Sequence, residues 1–119
     1  MRVTVWRYED AEGQGPYASW RYWNGCITMS GAHGDGSRPS WENDELHWCI
    51  NSDYVAGCPS RELLMNWFDG FHRDLLAGGF QIVTYRIPHE RVEVGYSRTQ
   101  VAFLKGSVRG VIHERSLAL

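Results

Sequence analysis

Residues 60–79 read Ser60-Arg61-Glu62-Leu63-Leu64-Met65-Asn66-Trp67-Phe68-Asp69-Gly70-Phe71-His72-Arg73-Asp74-Leu75-Leu76-Ala77-Gly78-Gly79. Leu64, Trp67, Phe68, Phe71 and Leu75 recur at spacings of three and four, which puts them on one helical stripe that must be buried, while Arg61, Asn66, Asp69 and Arg73 fall mostly off it. Ser60 supplies an amino-terminal cap, because its hydroxyl can accept from an unpaired amide of the first turn, and Glu62 suits the positive end of the helix dipole. Gly78-Gly79 offers the left-handed residue that closes a helix. The pattern predicts one principal amphipathic helix over about 61–77.

Working outward, strands lie on both sides. Upstream, residues 2–8 alternate as a strand with Val3 and Val5 on one face, and Leu46 to Asn51 reads as another strand bounded by Asn51-Ser52-Asp53. Downstream, strands are expected at Gln81–Ile87, Arg91–Val94 and Gln100–Leu104, with a last one at Val108–His113; Pro88 and Gly95 separate them because neither sits well inside a paired central strand. One amphipathic helix among strands describes an α+β domain, a twisted, mainly antiparallel sheet with the helix packed on one face. At 119 residues and 43% hydrophobic composition the chain is expected to form a single compact domain spanning 1–119.

Between the first strands lies a long region, about 9–45, rich in Gly, Ser, Asn and Asp, with one further strand expected at Ala18–Trp23. Trp20, Tyr22, Trp23 and Trp41 argue for order there, since aromatics are depleted from disordered chains, and long ordered loops tend to carry function. Six Trp and six Tyr are a rich complement for this length, and large aromatics with a polar edge are enriched where proteins meet partners. The crossover is therefore the expected binding face, with Trp20, Tyr22, Trp23 and Trp41 as anchors and Arg21 and Arg38 giving orientation. Surplus aromatics would equally serve a symmetric self-contact, so a homo-oligomer is compatible with this face.

The net charge of -2 gives no broad positive field, which argues against sequence-independent nucleic-acid binding. No apolar run approaches the ~18 residues of a spanning helix. Cys26, Cys49 and Cys58 make an odd count, with no charged segment and apolar run at the amino terminus, and point to a reducing, cytoplasmic setting.

His47 and Cys49 share a strand face, with Cys58 and His33 elsewhere, yet the spacing matches no paired-ligand zinc pattern, so no metal is expected. Asp10, Glu12 and Asp35 lack the spacing of a calcium loop. Neither a deaminase signature, a phosphate-binding loop nor a nucleophile elbow is present. Cys58 precedes a helix start, but Pro59 and its apolar surroundings favour an inert, packed thiol. The remaining polar feature is Arg7, which ends a strand beside the acidic glycine loop Glu9–Tyr17, a common way to build a polar pocket. Paired with Glu9 or Asp10, Arg7 would equally serve as a surface or sheet-edge charge.

Two resemblances bear on function. The pieces Val5–Asp10, Gly13–Tyr17, Leu63–Phe68, Gly78–Phe80 and Gln100–Phe103 together resemble small proteins of phages and prophages, over most of the chain. That resemblance implies a protein that binds and disables a host protein or protein complex, including bacterial immune complexes of the CRISPR type, without a cofactor. The element order is also similar to a minimal ADP-ribosyltransferase fold, which implies NAD as cofactor, with Arg7 and Ser52 in the first two catalytic places and Arg7, Tyr17 and Ser52 lining a nucleotide pocket. In the third place stands Gln100 instead of an acid, and a neutral amide cannot stabilise an oxocarbenium ion as a carboxylate does; Glu90 or Glu93 would have to substitute. A third reading is a nucleotide or metabolite binder without chemistry, in a cleft lined by Arg7 and Tyr17. The protein-binding reading is the leading expectation.

Overall fold

The computed structural model describes residues 2–13, 15–16, 54–104 and 112–116, the last segment as backbone pairing. Within them the order is β1 (Arg2–Glu9), β2 (Tyr54–Gly57), α1 (Arg61–Trp67), α2 (His72–Ala77), β3 (Gln81–Pro88), a 3-10 turn (His89–Arg91), β4 (Val92–Val94), β5 (Val101–Leu104) and β6 (Ile112–Ser116). The α+β class and the antiparallel pairing expected from sequence are both present. Among the described residues two three-stranded sheets form, ordered β1-β3-β6 and β2-β5-β4.

Alternation along β1 sorts its side chains between two cores. Trp6 and Tyr8 point to one face, where Tyr8 joins Cys58, Leu64, Phe68, Leu75, Phe80 and Ile82. Val3 and Val5 point to the other, where Val5 joins Val83, Tyr85, Ile87, Val101 and Phe103 between the two sheets. The register Val3↔Ile87, Val5↔Tyr85, Arg7↔Val83 and Glu9↔Gln81 places Arg7 and Glu9 on that second, inter-sheet face. β1 is thus covered on both sides, by helices and by the second sheet.

The sheets meet at one corner. Trp6 N donates to Cys58 O and Cys58 N to Trp6 O, both at 2.8 Å, so the chain just after β2 bridges to β1. Gly57 makes this approach: a Cβ there would lie 2.4 Å from Val5 Cγ1 and 3.0 Å from Trp6 O. β2 itself was not anticipated, because four residues ending in Gly57 carry no readable alternation.

The single helix over 61–77 is corrected to two short ones. Ser60 caps α1 as expected, its Oγ accepting from Leu63 N at 3.1 Å, with Glu62 in the first turn. After Trp67 the chain tightens, Asp69 N reaching Asn66 O at 3.3 Å, and Gly70 takes φ 88° before α2 begins. Glycine costs about 1 kcal/mol in a helix interior and enters positive φ freely, so the break falls there. The bend brings Leu64, Phe68 and Leu75 into one core while Phe71 packs at its margin. Gly79, at φ 92°, then ends α2, with Phe80 N returning to Leu75 O at 3.0 Å.

Among the remaining expectations, 2–8, Gln81–Ile87 and Gln100–Leu104 match β1, β3 and β5 to within a residue, and the strand expected from Arg91 starts at Val92 after the 3-10 turn. The last strand lies at Ile112–Ser116, later than the expected Val108–His113. The strands expected at Ala18–Trp23 and Leu46–Asn51 lie outside the described residues. No helix among the described residues is long and apolar enough to cross a membrane.

Candidate functional site

Arg7 is held between the sheets at 6% exposure. Its Nε lies 2.9 Å from Glu9 Oε2, its Nη1 donates to Ala56 O at 3.0 Å, and Tyr85 Oη donates to the same Glu9 oxygen at 2.5 Å. Glu9 is fully buried. Burial pulls the Arg7 guanidinium below its usual value, and the charge of Glu9 beside it works the other way.

The acidic glycine loop lies over this cluster. Glu12 N donates to Asp10 Oδ1 at 2.9 Å and Gly13 N to Asp10 O at 3.1 Å, with Gly13 at φ 82°, a compact Asx turn built on a buried aspartate. At Gly15 a Cβ would stand 3.3 Å from Arg7 Nη2, so the close backbone approach that glycine permits is made to Arg7 itself. For Arg7 to hold a pyrophosphate, it would have to exchange Glu9 and Ala56 for the ligand. Arg7 does pair with Glu9, and it does so inside the fold, not at the surface.

Tyr8 and His72 form a second polar contact, on the helical face. His72 Nε2 donates to Met65 O at 2.9 Å, since a carbonyl can only accept, and Nδ1 on the other side of the ring is hydrogen-bonded to Tyr8 Oη at 2.5 Å. Burial pushes the Tyr8 hydroxyl up to about 12, with Arg61 acting weakly the other way. Burial likewise pushes the Cys58 thiol up to about 12, away from the thiolate that a nucleophile requires.

Gln100 sits just before β5 at 5% exposure, and its carbonyl accepts from Gly95 N at 2.9 Å, closing the β4–β5 hairpin. Glu90 is exposed in the 3-10 turn with an oxygen 3.4 Å from His89 Nδ1, and Glu93 pairs with Ala102 across β4 and β5. Tyr17, Trp20, Arg21, Tyr22, Trp23, Arg38, Trp41 and Ser52, together with His47 and Cys49, lie outside the described residues.

The hairpin tip was missed in the sequence. Among the described residues the exposed large hydrophobic side chains are Val94, at 55%, and Tyr96, at 78%. Among the described residues, Val94, Gly95, Tyr96 and Arg98 line an open cleft of about 490 Å³. The available signal was Tyr96 at the apex of Gly95-Tyr96-Ser97-Arg98-Thr99, where turn chemistry calls for small polar residues and an aromatic contributes nothing.

The described residues thus define an α+β protein with a charged pair buried between its sheets and an exposed aromatic hairpin. A family model described as the bacteriophage T4 Y00F protein matches residues 1–117. The chain belongs to this family and is a small phage protein. No curated protein and no solved structure matches it.

Proposed function

We propose that this phage protein works by binding and inhibiting a host protein or protein complex in the host cell cytoplasm, a class of targets that includes bacterial immune complexes of the CRISPR type. The observation that carries this reading is the contrast within the described residues. Arg7, Glu9 and Tyr85 are committed to one another in the interior, while Tyr96 stands 78% exposed on a hairpin closed by backbone hydrogen bonds. Tyrosine, tryptophan and arginine are the side chains that most often dominate binding energy at interfaces. Trp20, Arg21, Tyr22, Trp23, Arg38 and Trp41 are the further binding residues that this reading carries over from the sequence.

The test is capture of host proteins by the tagged full chain and by a Trp20→Ala/Trp23→Ala variant shown to be folded. A partner held by the native chain and lost by the variant supports the reading, and unchanged capture rejects this part of the surface. Thermal shift with NAD separates the ADP-ribosyltransferase-like alternative, in which Arg7, Tyr17 and Ser52 bind the nucleotide: a ligand at ~100 times its dissociation constant adds ~2.7 kcal/mol of stability. No shift is expected.

A further inference from the structure

We draw no further inference here: the strongest candidate, the exposed tip of the β4–β5 hairpin where Val94 and Tyr96 stand beside an open cleft, is a surface patch, and nothing in the structure shows what covers it.

Discussion

Arg7 Nε lies 2.9 Å from Glu9 Oε2 with both side chains inside the fold, two positions apart on β1 and therefore on the same, inter-sheet face. A buried ion pair of this kind is no large net gain over well-packed apolar residues, but removing one partner leaves an uncompensated charge. Its ties reach three strands: β1 supplies both charges, β2 the Ala56 carbonyl and β3 the Tyr85 hydroxyl.

Arg7→Leu is accordingly expected to lower stability by ~3–5 kcal/mol, and the paired Arg7→Leu/Glu9→Leu variant to lose less than the sum of its single changes. Tyr85→Phe removes a hydrogen bond to a charged group and should cost ~1–3 kcal/mol. Urea unfolding of the four variants measures all of this.

Stability should also fall in alkali. Tyr8 and Cys58 are neutral when protonated, and burial raises the first from 10.0 to about 12 and the second from 9.0 to about 12. The folded chain therefore keeps these protons after the unfolded chain has released them. Their contribution is complete below ~pH 9 and declines as pH rises towards 12, by about 1.4 kcal/mol per unit for each titrating group. Unfolding curves across that range should show the loss, and Tyr8→Phe and Cys58→Ala should each flatten it. Alkylation of the native protein at neutral pH, mapped by peptide mass, should leave Cys58 unmodified.

The corner between the sheets gives a steric prediction. Gly57→Ala would place a methyl 2.4 Å from Val5 Cγ1, closer than real contacts allow, and should cost ~2–3 kcal/mol or more. Adding Val5→Ala removes that clash and leaves only the 3.0 Å approach to Trp6 O. In the Val5→Ala background the Gly57→Ala penalty should shrink, a coupling that a double-mutant cycle reads directly.

Gly70 decides between one helix and two. Inside a continuous helix Gly70→Ala would stabilise by about 1 kcal/mol. At φ 88° with nothing within 4 Å of its position, the same change should destabilise by about 1 kcal/mol through backbone strain alone, and Gly70→Asn should cost less. The sign of the change in thermal denaturation is the result to read. Ser60→Ala should lose ~1 kcal/mol with its cap.

The parts of this fold that were legible in the sequence are those where periodicity and local chemistry act together: β1, β3 and β5, the Ser60 cap, and the helix stop at Gly78-Gly79. The two-helix break was carried by one residue, Gly70, whose apolar neighbours keep helical spacing on both sides and so mask it. β2 was hidden because its role is close approach at Gly57, a property of the corner and not of its own pattern. For the site, Arg7 and its pairing with Glu9 were visible as neighbours in sequence. Their enclosure was not, because it depends on sheet-to-sheet contact with Ala56 and Tyr85, 49 and 76 residues away in the chain. The hairpin tip escaped notice because a turn is read for glycine and polar residues, which hides an aromatic and an arginine standing among them.

The most direct measurement of the central claim, a small phage protein whose surface and not its interior does the work, is quantitative mass spectrometry of host proteins retained by the tagged full-length chain. The account predicts a saturable host partner enriched well above a tag-only control, with no rise in melting temperature on adding NAD. A chain that retains nothing beyond the control, or one stabilised by NAD through Arg7, would contradict it.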